Sequence, residues 1–283
     1  MKIRGAITIR LGKNAGAPTP HDTALDRGMT ITTWNVNSVR ARLERMLLWL
    51  DAHEPDVLCL QELKCVEDEV PHAELARRGY QVAAYGQKTY NGVLIASRAP
   101  MSDVQKAIPW PEDPQARGIS AVINGIRIVN LYVVNGQEVG SEKYAYKLEW
   151  LGRLRDRLGE HAGESMVVCG DYNIAPDDRD VHDPAYWNGK ILCSDAERTA
   201  FTSLLGLGLT DAYRARHAEG GRFSWWDYRG NGFERNLGLR IDHHLVTADV
   251  LARTTEVSID TEERSRANAS DHAPVTLHLT GNA

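Results

Sequence analysis

Acidic and amide side chains recur in this chain at the ends of short apolar runs. Asn35 closes the β-branched run 29–34, Glu62 follows the run 57–60, and Asp171 and Asn173 lie just beyond 166–169 and its Gly170. Taken singly, each such residue has an ordinary reading: Asn35 as a helix cap, Asp271 as a turn former, Glu62 or Asp242 as a solvated carboxylate. Taken together they point elsewhere, because the ends of packed strands can converge on one pocket. Hard oxygen donors gathered there suit magnesium or manganese, which take one or two carboxylates and keep waters that exchange with phosphate oxygens. Zinc suits the chain less well. Its ten histidines form no HExxH, and His243 and His244 point to opposite faces of a strand, so one ion cannot take both without a bulge. A serine nucleophile is unsupported, since no GxSxG elbow occurs. The chemistry expected of these residues is metal-dependent cleavage of a phosphodiester.

The elements that must position them are read from apolar periodicity. The run 29–34 predicts a strand, and Val39, Leu43, Met46, Leu47 and Leu50 recur at helical spacing up to Pro55. The run 57–60, bounded by Pro55 and Gln61-Glu62, predicts a strand buried on both faces. Runs at 92–96, 119–123 and 127–134 predict further strands, the last two joined by an Asn124-Gly125 hairpin turn. Tyr144, Leu148, Leu151, Leu154 and Leu158 mark one helical face, 166–169 a buried strand, and 195–205 a further helix. A Gly- and aromatic-rich loop, 220–238, leads into a strand at 240–246, and 274–279 closes the fold. Helices alternating with strands, with hairpin signals between, predict an α/β sandwich of mixed sheets flanked by helices.

The chain has 283 residues, 42% of them hydrophobic, and no linker divides it, so one catalytic domain is expected over 29–281. No apolar run reaches the roughly 20 residues of a membrane-spanning helix. Residues 1–28 mix Gly, Pro, Lys and Arg without an apolar stretch, which reads as a disordered leader rather than a secretory signal, with Met29 an alternative start. Cys59, Cys65, Cys169 and Cys193 show neither CxxC spacing nor the density of a disulfide scaffold, so reduced thiols and a cytoplasmic location are expected. The formal charge of −5 argues against indiscriminate nucleic-acid binding and calls for a local basic patch.

The segments TWNVNSVR (33–40), QELK (61–64), VCGDYNIAP (168–176), FSWWDY (223–228), GLRIDHHL (238–245) and SDHAP (270–274) follow one another in an order that resembles the exonuclease III family of apurinic/apyrimidinic endonucleases. The resemblance spans 29–279. It implies the four-layer α/β sandwich of the DNase I-like superfamily, two packed mixed β-sheets flanked by helices, with the site at one end of the sheets. It also implies roles: Glu62 as principal magnesium ligand with Asn35 beside it, Asp271 on the same metal or a second one, and Asp171 as general base with Asn173 as its hydrogen-bonding neighbour. His272 would contact the scissile phosphate and be oriented by Asp242. Tyr132 and Asn135, in NLYVVNG (130–136), match the family's phosphate-contacting tyrosine and its nearby asparagine. Trp225, Trp226 and Phe223 would stack on a base or line the pocket of a baseless sugar, with at least one of them in the core.

The wording departs from the family's commonest form at Ser38, where Gly is frequent, at Leu63, where Thr is frequent, and at His243-His244, where apolar residues are usual. Arg40, Arg42 and Arg45 read as a solvated helix face, with contact to the DNA backbone as the alternative. The function implied is a Mg2+-dependent (or Mn2+-dependent) DNA-repair hydrolase, a monomer acting on double-stranded DNA. It would cut 5' to abasic sites to leave a 3'-hydroxyl, with 3'-to-5' exonuclease or 3'-phosphodiesterase action beside it. Two alternatives stand: a phosphoesterase of the same fold for inositol or lipid phosphates, against which the lack of a membrane-surface helix counts, and a non-catalytic DNA-binding protein.

Overall fold

A β-branched run and an apolar run become neighbouring central strands: β1 (Met29–Asn35) and β2 (Val57–Gln61) pair in parallel, Ile31 opposite Val57 and Asn35 opposite Gln61. The computed structural model describes residues 28–281, so the leader expected at 1–28 lies, Gly28 apart, outside the described residues. The other strands are β3 (Gln81–Tyr85), β4 (Val93–Ser97), β5 (Met101–Lys106), β6 (Gly118–Ile123), β7 (Ile126–Tyr132), β8 (Met166–Asp171), β9 (Thr210–Asp211), β10 (Trp225–Trp226), β11 (Gly238–Leu239), β12 (Asp242–Val246), β13 (Thr254–Ile259) and β14 (Val275–Leu279). One six-stranded sheet has the order β13-β14-β1-β2-β4-β3, the other β5-β6-β7-β8-β12-β9, and β10 pairs with β11 alone. Both large sheets are mixed, since β1–β2 and β7–β8 are parallel pairs among antiparallel ones.

Side-chain alternation along the central strands builds the layers. Val57 and Cys59 of β2, with Val167 and Cys169 of β8, face the space between the sheets. Leu58 and Leu60 turn outward onto Met46, Trp49 and Leu50 of the helix Leu43–His53. Met166 and Val168 turn outward onto Trp150, Leu154 and Phe201, from the helices Glu142–Gly159 and Asp195–Leu205. The result is helix, sheet, sheet, helix. No helix among the described residues is long and apolar enough to cross a membrane.

Several expectations need correction. The helix expected from Val39 starts at Leu43, because Asn37 and Ser38 take left-handed φ values of 46° and 88°. The helix Glu142–Gly159 buries Lys147 and Trp150, whereas Leu148 is only half-buried. Strands β3, β5, β9 and β13, all four sheet edges, have no counterpart among the expected strands, and β10 forms within the segment expected as a loop. The hairpin at Asn124-Gly125 forms as expected between Ile123 and Ile126, with positive φ at both turn residues (49° and 78°).

His243 and His244 do face opposite ways. His243 donates from Nε2 to Ile174 O (2.9 Å), accepts at Nδ1 from Arg240 (2.8 Å), and lies against Tyr172 and Phe201. His244 donates from Nε2 to Ile31 O of the other sheet (3.1 Å). Burial pushes His243 down to about 4, with the Arg240 charge adding to it, and burial pushes His244 down to about 3. The unfolded chain takes up these protons near the ordinary value of 6.5, which the folded protein cannot do until far lower pH. Stability therefore falls as the pH drops below about 6.5, by about 1.4 kcal/mol per pH unit for each histidine. His244→Gln, which keeps an N–H for Ile31 O, is expected to remove one proton's worth of that slope in urea unfolding followed between about pH 6.5 and 4.5. An unchanged slope would contradict a neutral His244.

Candidate active site

Register alone brings three of the expected residues side by side. In the second sheet Tyr132 of β7 and Asp242 of β12 are both Cα partners of Asp171 in β8. Gly170 makes this possible: its φ is +141°, and a Cβ there would stand 2.0 Å from Leu131 O of the adjacent strand. From the first sheet, Asn35 ends β1 and Glu62 follows β2 at the same end of the sandwich. Asp271 and His272 arrive on the segment leading into β14, where His272 bridges to Trp225. The loops that carry these groups hold non-glycine residues in left-handed backbone, at Asn37 (46°), Ser38 (88°), Glu62 (52°) and Asn173 (49°). Such conformations cost of order 1–3 kcal/mol each and persist where surrounding contacts over-determine them, commonly at functional sites.

Asp171 is fully enclosed by donors. Its Oδ1 accepts from the Asn173 backbone N–H (2.8 Å), and its Oδ2 accepts from Asn35 Nδ2 (2.9 Å) and Asn173 Nδ2 (3.2 Å). Asn135 donates to Asn173 Oδ1 (3.0 Å), which holds that amide in the required orientation. His272 shares its Nδ1–H between the Asp242 oxygens (2.9 and 3.1 Å) and turns Nε2 toward Asp171 Oδ2, 3.7 Å away. Asp242 also accepts from Ser224 Oγ (2.6 Å). Burial pushes the Asp171 carboxyl up to about 7, with the Asp242 charge adding to it and His272 opposing. Burial also works against a charge on His272, but Asp242 and Asp171 outweigh it and push the imidazole up to about 10. A buried base thus faces a protonated imidazole, an arrangement suited to activating water on one side of a phosphate and donating to the phosphate from the other.

The expected metal ligands sit beside this pair. Glu62 is half-buried, accepts at Oε1 from Asn35 Nδ2 (2.9 Å) and pairs at Oε2 with the Lys64 ammonium (2.8 Å). Asp271 accepts from Asn37 Nδ2 and Trp225 Nε1, both at 3.0 Å. Two half-buried carboxylates, one of them already paired with an ammonium, are a hard-oxygen set of the kind magnesium or manganese takes, so these residues fit such an ion. Asn35 links the two carboxylates: its Nδ2 donates to Glu62 Oε1 and to Asp171 Oδ2 (both 2.9 Å), while its Oδ1 accepts from the Asn37 backbone N–H (3.0 Å) and keeps a second lone pair. Asp171, Asp242 and His272 also bring potential ligand atoms within 4.8 Å of one another. The His272 Nδ1–H is taken by Asp242, and the two neighbouring carboxylates favour the protonated imidazole, which has no free lone pair to offer a metal.

The aromatic residues divide. Phe223 (2% exposed) and Trp226 (1% exposed) are packed with Ala273 in a core cluster, and Trp226 donates to Asn236 Oδ1, so neither offers a face for stacking on a base. Of the three, Trp225 alone is partly exposed. Tyr132 is half-buried under the Arg117 guanidinium (4.9 Å from its ring centre), and burial with the Glu62 and Asp171 charges raises its phenol well above the usual value. Asn37, Lys64 and Ser224 take part in the site without having been singled out. Each lies inside a quoted motif, one to three residues from an expected group, and that proximity was the available signal.

A model described as the endonuclease/exonuclease/phosphatase family matches residues 32–272. Exodeoxyribonuclease III of Haemophilus influenzae is 31% identical over 262 residues, 87% of this chain and 98% of that protein. Among solved structures, NExo from Neisseria aligns at 46% identity and a TM-score of 0.87 in two structures, over 89% of this chain and 99% or 100% of theirs. One is described as a 3'-5' exonuclease, the other as a 3' phosphatase bound to product DNA hairpin. An AP endonuclease from Archaeoglobus fulgidus aligns at 37% identity and a TM-score of 0.85, over 89% of this chain and 99% of that one.

Proposed function

This chain belongs to the endonuclease/exonuclease/phosphatase family, and from that premise we propose that it is a divalent-metal-dependent DNA-repair nuclease. The observation that carries the reading is the buried pairing of Asp171 with His272, flanked by Glu62 and Asp271. Asp171 orients and deprotonates the attacking water, held in place by Asn35 and Asn173. His272, fixed by Asp242, donates from Nε2 to a non-bridging oxygen of the scissile phosphate, and Tyr132 and Asn135 line the same phosphate. Mg2+ or Mn2+ would be held by Glu62 and Asp271, and when bound it offsets the negative charge that builds on the phosphate. The substrate is double-stranded DNA, cut 5' to an abasic site.

A second reading, action at 3' termini, is favoured by the 46% identity to NExo. The test is a panel of duplexes carrying an abasic analogue, a recessed 3'-hydroxyl or a 3'-phosphate. Hydrolysis is expected in magnesium or manganese and none in EDTA. Cleavage confined to the two 3'-end substrates selects the second reading. Inertness of all three duplexes with either metal, or preferred hydrolysis of inositol phosphates, would overturn a DNA function. The enzyme is further read as a monomer of a reducing cytoplasm, which suits four free, buried cysteines.

A further inference from the structure

Lys147 is 0% exposed, on the buried face of the helix Glu142–Gly159, behind the second sheet. An ammonium has three N–H donors, and each meets an acceptor here: Asn135 O (3.1 Å), Asn173 O (2.7 Å) and Glu197 Oε1. Two of these are the backbone carbonyls of the loops that follow β7 and β8. Gly136, at φ +93°, lets the first loop lie directly on the lysine stem, since a Cβ there would come within 3.1 Å of Lys147 Cδ. Glu197 is enclosed as well, because its Oε2 accepts from Ser194 N and Ser194 Oγ.

A buried ion pair of this kind adds little to stability, because desolvation of both charges offsets their attraction, and an apolar pair can often replace it. The carbonyls explain the lysine better. The two asparagines bond to each other, and Asn173 in turn grips Asp171 through its backbone N–H and side chain. A chain of direct contacts therefore runs from Lys147 through Asn173 to the carboxylate.

We propose that Lys147 is a positioning residue for phosphodiester hydrolysis: from behind the sheet it holds the loops of Asn135 and Asn173 together and, through Asn173, sets the place of Asp171. This rests on the reading of Asp171 as the base. It concerns turnover rather than DNA affinity, because Lys147 is sealed from any substrate.

The test begins with wild-type enzyme on the duplex panel. Inertness there sinks the nuclease reading itself, independently of Lys147. With wild type active, the double variant Lys147→Met/Glu197→Gln removes both charges while keeping an acceptor for the Ser194 groups. It is expected to fold and to lose roughly 10- to 100-fold in kcat at unchanged KM, as misplacement of a catalytic group from a distance does. The second variant, Lys147→Arg, keeps a charge for Glu197 but carries its donors on a planar fork that cannot reach all three acceptors as tetrahedral N–H bonds do. Roughly tenfold lower kcat at unchanged KM is expected of it. Wild-type kcat in either folded variant, or a loss confined to KM, overturns the proposal. Loss of the fold in both marks Lys147 as core support and overturns it too.

Discussion

Asp171→Asn is expected to leave a folded protein whose kcat on duplex DNA is lower by roughly 10^2- to 10^4-fold, the range that loss of a general base brings. The two side chains are nearly isosteric, so the Asn173 backbone N–H keeps an acceptor at the Oδ1 position. What changes is Oδ2: an amide NH2 there meets the N–H groups of Asn35 and Asn173, donor against donor. An unmade buried hydrogen bond costs about 1–3 kcal/mol. Burial, however, already disfavours the charge of Asp171, which is why its carboxyl sits near 7, so removing that charge offsets part of the cost. His272 keeps Asp242 and stays oriented. The variant thus separates chemistry from folding: thermal unfolding should move by a few degrees while turnover collapses. Turnover within about threefold of wild type would remove Asp171 from the role of base and leave the site without one.

The largest stability effect is expected at Arg240, two residues before Asp242. Its guanidinium is 1% exposed and spans two buried carboxylates, reaching Asp180 at 2.7 and 3.1 Å and Asp211 at 2.7 and 3.3 Å. Against the upward push of burial, Arg240 holds Asp211 down to about 2. Arg240→Met fills the space but leaves these acids largely uncompensated, although Arg214 still contacts Asp180. A loss of about 3–5 kcal/mol follows, equivalent to roughly 6–10 °C in a domain of this size. The penalty has a pH signature. In wild type the depressed pKa of Asp211 contributes stability above the ordinary value of 3.8 that is lost as the pH falls toward about 2. Without Arg240 the buried carboxylate protonates readily instead, so the gap between variant and wild type should narrow on acidification. Unfolding free energies from urea titration that differ by less than about 1 kcal/mol near pH 7 would show that the network is not the support described. Activity should fall with stability, because the same segment feeds the start of β12 and the carboxylate that orients His272.

The central elements and the identities of the site groups could be read from residues alone. Strands β2 and β8 are apolar on both faces, and β1 is β-branched, because each lies between a helix layer and the opposite sheet, so their signal is continuous and local. The polar groups Asn35, Glu62 and Asp171 stand out at their ends because a buried polar group needs partners, which the loops beyond the strand ends supply. Edge strands such as β5, MSDVQK, expose most of their side chains and read as loop, since what makes them strands is pairing to a neighbour far away in sequence.

Other features required the assembled molecule. Tyr132, Asp171 and Asp242 become neighbours only through the register of three strands, and Asn35 comes to join Glu62 and Asp171 by hydrogen bonds only once the two sheets pack. Phe223 and Trp226 carry the residue types of a stacking surface, but packing puts them inside. Lys147 falls at helical spacing from Tyr144, Leu151 and Leu154, but a cation on that buried face is intelligible only once two carbonyls and a carboxylate from distant segments surround it. Residue type and local periodicity determine which groups this chain can bring to a reaction. Orientation, protonation and access depend on partners distant in sequence, and so were decided by tertiary contact.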